Sequence, residues 1–286
     1  MSRIFDDRFR KTLGEILRGA PRLRGGSQHL GQTRRRTRSE SGTFSGHRAY
    51  GDGDDLRNLD WNVYARTDEL FMKVLEDEDR VGLTLIFDRS ASMTAENRWH
   101  GALRLASILG GLALVHLNGL HLVAGAGQDS SLAGAPALGR FLDGLETLTS
   151  ADDSPAAMVR QLLEAGVGGR VFWISDFADP MSFQAPLAML RRQGCRCTGW
   201  LPSLPTDRVP TVDGMVRFLD PETGVREVLQ VDEDLRRAMT EELGLLRKTQ
   251  DGVFRSAGHA LMRFEVPPEG DYRLSAWTDR GRVYSI

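Results

Sequence analysis

Two aspartates stand where apolar runs stop. Residues 81–87 are apolar and β-branched and end at Asp88, and residues 170–175 end in the same way at Asp176. Asp88 is followed by Arg89, Ser90, Ala91 and Ser92, so one acid and two hydroxyls share a tight turn. Hard oxygen donors in this arrangement suit Mg²⁺ or Mn²⁺. Magnesium keeps part of its water shell, so such a turn leaves coordination positions open for an acid brought by a partner.

Both aspartates must be carried to one place by the elements around them. A long helix spans about 94–117, with apolar residues most of the way round, as in a buried helix. A strand at 121–126 follows, then helices at 135–148 and 155–165. Pro155 in a first helical turn, with Asp153 and Ser154 just before it, is a helix-start signal. A helix at 182–193, a strand at 195–201 and a hairpin at 215–219 and 225–231 come next. The chain continues with a helix at 232–250 and a late strand at 261–266. Strands that alternate with helices predict an α/β fold with a doubly wound, mostly parallel sheet and helices on both faces. Ligands of such sheets bind at the carboxyl ends of the strands, where Asp88 and Asp176 emerge. Cys195 and Cys197 fall on one face of a strand and read as small core side chains.

At the Asp88 turn the chain resembles the first metal loop of a von Willebrand factor A domain, and Ile174, Ser175 and Asp176 resemble the third. Upstream, His47, Arg48, Ala49 and Tyr50, then Gly53, Asp54, Asp55, Leu56 and Arg57, then Leu59, Asp60, Trp61 and Asn62, then Ala65 and Arg66 resemble a bacterial signature. That family is von Willebrand A-like, of undetermined function, and often encoded beside MoxR-type AAA+ ATPases. The resemblance covers roughly 40–200. It implies a von Willebrand A-like fold and a metal-ion-dependent adhesion site that holds Mg²⁺ or Mn²⁺ through Asp88, Ser90, Ser92, Asp153 and Asp176. It also implies an acidic residue of a protein partner at that metal, a MoxR-type AAA+ ATPase as partner, and no catalysis. In one respect the chain departs from the family. The second metal loop normally offers a threonine before a helix, and the aligned position here is Asp153, with Ser154 and Thr149 as alternatives in another register.

Charge is unevenly placed. Residues 1–48 carry 12 Lys and Arg against 4 Asp and Glu, and the remainder 25 against 35, for a net charge of −2. The basic part opens with Phe5, Phe9, Leu13, Ile16 and Leu17 at helical spacing, a helix expected to dock on its own domain. It ends in Arg34, Arg35, Arg36 and Arg38. The organisation expected is a basic arm with an amphipathic helix at 1–39, a signature segment packing on the sheet at 40–80, and the main domain with C-terminal β additions at 81–286. On this reading the body folds without the arm, since its core begins at residue 81. Within 40–80, Asp54, Asp55, Arg57, Asp60 and Arg66 alternate in sign around Leu56, Leu59 and Trp61. That pattern suits either pinning to the sheet or a docking surface for the ATPase.

With 41% hydrophobic residues the composition is globular. Two cysteines are too few for a disulfide scaffold. The apolar stretch at 105–117 is too short to span a bilayer, and the first twenty residues hold no secretory h-region. A cytoplasmic protein with no membrane span is expected. Phosphate-loop, dinucleotide and His-Glu-x-x-His motifs are missing from the sequence. Three functions follow in order of preference. The first is a non-enzymatic, metal-dependent protein-binding module that serves a MoxR-type ATPase in assembly or maturation of other proteins. The second is a metal-dependent hydrolase using Asp88 and Asp176. Binding of nucleic acid through the arginine run comes last, because no aromatics are interleaved for base stacking.

Overall fold

The first apolar helix shows how the chain is assembled. In the computed structural model α1 (Asp7–Gly19) is capped by Asp6, whose carboxylate accepts the Phe9 N–H at 2.8 Å. Phe9 and Ile16 are fully buried, and Phe5, Leu13 and Leu17 join the same core. Arg104 lies over the Phe9 ring at 5.4 Å and donates from Nε to the Ile4 carbonyl. The structure describes residues 4–20, 43–51, 59–76, 82–95, 97–117, 119–125, 129–166, 168–220 and 222–268. They fall into two compact units, one of 1–26 with 81–286 and one of 27–80.

The helix expected within residues 1–39 docks on its own domain. α1 belongs to the main unit, because its whole apolar stripe is consumed by packing against the body. The arginines at 34, 35, 36 and 38 lie outside the described residues, as do Asp54, Asp55, Leu56 and Arg57.

In the smaller unit β1 (Thr43–Ala49) pairs antiparallel with β2 (Phe71–Glu76), with a register shift between Phe44 and Gly46. Between them lies α2 (Trp61–Thr67). Its cap, Asp60, accepts the N–H groups of Asn62 and Val63, and Asp68 closes it in the left-handed region. Leu59 bridges to Met72, and both are buried.

The main unit is built on a six-stranded sheet. Along the chain come β3 (Leu83–Phe87), α3 (Arg98–His116), β4 (Gly119–Val123), β5 (Asp129–Ala133), α4 (Leu138–Glu146), α5 (Pro155–Glu164) and β6 (Arg170–Ile174). Then follow α6 (Gln184–Arg192), β7 (Arg196–Ser203), β8 (Gly214–Leu219), β9 (Arg226–Val231), α7 (Glu233–Ser256) and β10 (Ala260–Glu265). The strand order is β10-β7-β6-β3-β4-β5, parallel throughout except for β5, which runs against β4. β8 and β9 form a separate hairpin.

β3 sits inside the sheet, and all five of its residues are buried. Strand alternation divides them between two cores. Leu83, Leu85 and Phe87 meet α1, α3 and α4. Ile86 joins Val171 and Trp173 of β6, Met158 and Leu162 of α5, Leu187 and Leu190 of α6, and Phe254 of α7. The cysteines lie in this second core, free, and burial pushes the Cys197 thiol up. The sequence reading missed β5, because Asp129, Ser130 and Ser131 carry no apolar alternation. It is an edge strand, held partly by His121 Nδ1 against Ser131 Oγ at 2.9 Å.

If α1 is core, Phe9→Ala should cost about 3–5 kcal/mol, the usual figure for a buried aromatic truncated to a methyl. Urea denaturation measures it directly. Removal of residues 1–20 should leave a chain without a cooperative transition, and a body that still melts sharply would show that α1 is an accessory.

Candidate functional site

β3 and β6 are adjacent and parallel, so their carboxyl ends open on one edge. Asp88 leaves β3 with its N–H bonded to the Ile174 carbonyl of β6. Its carboxylate turns inward. Oδ1 accepts the Ser90 N–H at 2.8 Å and Oδ2 accepts the Ser175 hydroxyl at 2.6 Å. Ser175 is fully buried and also accepts the Phe177 N–H. Burial is the main cause that pushes the Asp88 carboxyl above its usual range, with the nearby Asp176 charge adding to it, against the lowering effect of the Ser175 and Ser90 hydrogen bonds.

The two hydroxyls of the turn face each other, Ser90 Oγ to Ser92 Oγ at 3.2 Å. The Ser92 N–H donates to Glu222 Oε1 at 2.7 Å, an acid from the turn between β8 and β9. Asp88, Ser90, Ser92 and Asp176 are therefore gathered at one edge.

Asp176 and Asp153 each have a guanidinium partner. Arg98 Nη1 donates to Asp176 Oδ2 at 2.8 Å and to the Ser92 carbonyl at 3.3 Å, while Nη2 donates to Asp207. Arg89 donates from Nη2 and Nε to Asp153 Oδ2 at 2.7 and 3.0 Å. These pairs are about nine-tenths buried. The alternatives Thr149 and Ser154 are exposed, so Asp153 is the inward-facing group of that loop. The loop is also pinned to the turn through its backbone, with Ala151 N–H and Ser150 Oγ both donating to the Arg89 carbonyl.

A divalent cation does not fit this arrangement. Asp88, Ser90 and Ser92 offer oxygens of the right hardness, but the two further carboxylates of the expected set are bound to arginines. Among the described residues no group of three or more His, Cys, Asp or Glu could hold a metal ion. Breaking one buried ion pair costs about 3–5 kcal/mol, so an entering ion would first have to overcome that loss. Among the described residues, His116 bonds to the Leu17 carbonyl, His121 to Ser131, and His259 to the Leu187 carbonyl.

The sequence reading missed Arg98 and Gln250. Gln250 of α7 donates to the carbonyls of Asp176 and Phe177 and holds the loop from behind. Arg98 did carry a signal. It is the first residue of α3, where the helix dipole disfavours a cation, and the first turn has no acid of its own. A cation there needs carboxylates from elsewhere in the fold.

Residues 46–123 match the family model described as "Protein of unknown function DUF58". The matched stretch includes α2, the Asp88 turn and α3. No curated protein matches the chain. Among solved structures, an aerotolerance-related membrane protein from Bacteroides fragilis is 14% identical with a TM-score of 0.44, covering 72% of this chain and 99% of that one. The BatB protein from Bacteroides thetaiotaomicron is 15% identical with a TM-score of 0.39, covering 71% of this chain and 97% of that one. No helix among the described residues is long and apolar enough to cross a membrane.

The raised Asp88 pKa has a consequence for stability. The folded chain holds the Asp88 proton more tightly than the unfolded one, so this group contributes fully at low pH. Its contribution falls as pH rises from the unfolded value of 3.8 through the raised folded value. Asp88→Asn should remove that fall. Urea midpoints of wild type and variant, compared from acid to neutral pH, should converge in acid and favour the variant at neutrality. Parallel profiles would show that Asp88 titrates normally.

Proposed function

We propose that the chain is a non-enzymatic protein-binding module of von Willebrand A-like, doubly wound architecture. Its partner is a MoxR-type AAA+ ATPase, and its task is assembly or maturation of other proteins. The observation that supports this best is the surface of α2. No residue of that helix is buried, and Trp61 is 62% exposed. Trp61 and Tyr64 meet edge to face with ring centroids 6.1 Å apart. Arg66 follows on the same helix, its Nε bonded to the Asn62 carbonyl.

A helix that buries nothing gains little from packing, so its short length must be sustained by its caps. Asp60 and the turn at Asp68 supply these. The fold thus holds an indole, a phenol and a guanidinium in fixed places on an outer face. Trp, Tyr and Arg are the residues most enriched at the centres of protein interfaces. They lie inside the segment that matches the family model. Of the two carboxylates that an enzymatic reading would use, Asp176 is held in an ion pair by Arg98, and Asp88 is bonded to Ser175 and Ser90.

Trp61→Ala should weaken attachment of the chain to a purified MoxR-type ATPase by roughly 30-fold, which corresponds to a hot-spot loss of about 2 kcal/mol. The exposed ring leaves the fold unchanged, which circular dichroism checks. Wild type that fails to bind the ATPase in calorimetry would remove the reading. Undiminished binding by the variant would place the docking surface elsewhere on the chain.

A further inference from the structure

We infer that Arg98 is the resident cation of the β3–β6 edge, and that this edge holds its carboxylates together without a divalent metal. The connections of the guanidinium carry the argument. One nitrogen, Nη1, reaches both the Asp176 carboxylate and the Ser92 carbonyl. The other reaches Asp207, beyond β7. One charged group therefore joins the loop after β3, the loop after β6 and the segment after β7. A bridging metal would join the first two in the same way.

Arg89 repeats the device for the remaining loop, with two of its nitrogens on one oxygen of Asp153. The backbone around that pair is shaped to receive it. Gly125, two residues past β4, has φ +97°, where side chains are disfavoured. A Cβ placed there would lie 2.1 Å from Arg89 Nη2 and 2.5 Å from Asp153 Oδ2. The end of a third strand thus leaves a gap that the ion pair fills. Asp153, which departs from the expected threonine, now has a chemical reason. A carboxylate there carries a charge opposite to the buried Arg89 guanidinium, which a hydroxyl does not.

Guanidinium and metal differ in what they require of their oxygens. Arginine keeps its charge at every pH a protein survives, and its planar fork donates hydrogen bonds at about 2.8 Å. Magnesium demands octahedral oxygens at about 2.1 Å and several retained waters. At this edge the Arg98 fork reaches two carboxylates and one carbonyl. The position of Arg98 at the start of α3 agrees with this, since the unfavourable helix dipole is offset by two carboxylates that the fold brings there.

The test uses the full chain and Mn²⁺ alone as probe. Calorimetry and thermal melts are run on wild type, Arg98→Ala, Arg98→Gln and the double variant Arg98→Ala with Asp88→Asn. Wild type should show no heat of Mn²⁺ binding and no change in Tm. Arg98→Ala should melt lower, and Mn²⁺ should restore much of the lost Tm by occupying the vacated position. The double variant should lose that restoration. Arg98→Gln keeps a donor for Asp176 without the charge, and reports on the same exchange if the alanine variant does not fold. Stoichiometric Mn²⁺ binding by wild type, abolished by Asp88→Asn, would overturn the inference. So would folded Arg98 variants that remain indifferent to the metal. These outcomes concern the edge alone and are read without the ATPase, so they leave the role of Trp61 to its own experiment.

Discussion

β3 runs through the sheet with five consecutive buried residues, and the chain leaves it at a carboxylate that cannot turn back to water. That constraint organises everything near it. A buried carboxylate must be hydrogen-bonded, and Asp88 uses the Ser90 N–H and the Ser175 hydroxyl to meet the demand. Ser175 comes from the neighbouring strand, so satisfying Asp88 also fixes the loop after β6. Burial raises the pKa of Asp88, Asp176 lies close enough to add to that rise, and a second negative charge in one place requires a positive one. Arg98 supplies it from the start of α3.

Buried ion pairs are poor sources of net stability, because desolvation offsets most of the attraction between the charges. Their geometry is strict, however. The Arg98 fork donates only in certain directions, and it fixes three segments that a hydrophobic contact would allow to slide. Arg89 does the same between the turn and the loop before α5. The two pairs thus act on the register of loops, while the stability of the unit rests on the two apolar cores on either side of the sheet.

Most of this fold was legible because burial on both faces leaves continuous apolar runs. Residues 81–87 and 170–175 read as strands for that reason, and both proved to end in the aspartates that open on one edge. The stripe of α1 was equally plain, but periodicity shows only that a face is apolar and not what covers it. That is why residues 1–39 read as an arm while Phe9 lies in the main core. β5 left no pattern, because serines at a sheet edge look like a loop. The candidate site divides along a similar line. Residues adjacent in sequence, Asp88, Ser90 and Ser92, could be grouped from spacing. Their partners are far away: Asp207 lies 109 residues beyond Arg98, and Glu222 lies 130 beyond Ser92. Only the fold brings Arg98 to Asp176 and Arg89 to Asp153, and those cations alter what the carboxylates can do.

The segments after β7 bear on the edge as strongly as the strands that form it. Phe177 has φ 50°, an uncommon conformation for a residue with a side chain. It persists because its surroundings determine it from several directions. Its N–H is held by Ser175, and its carbonyl receives Gln250. Its ring stacks edge-on against Phe183 at 4.8 Å and Phe254 at 4.9 Å. Two of these four contacts come from α7. Asp207 meets Arg98 from the loop before the hairpin, and Glu222 meets Ser92 from its tip. A change that loosens α7 or the hairpin therefore reaches the Asp88 turn through named hydrogen bonds, without passing through the sheet. The C-terminal additions complete the edge that the parallel sheet begins.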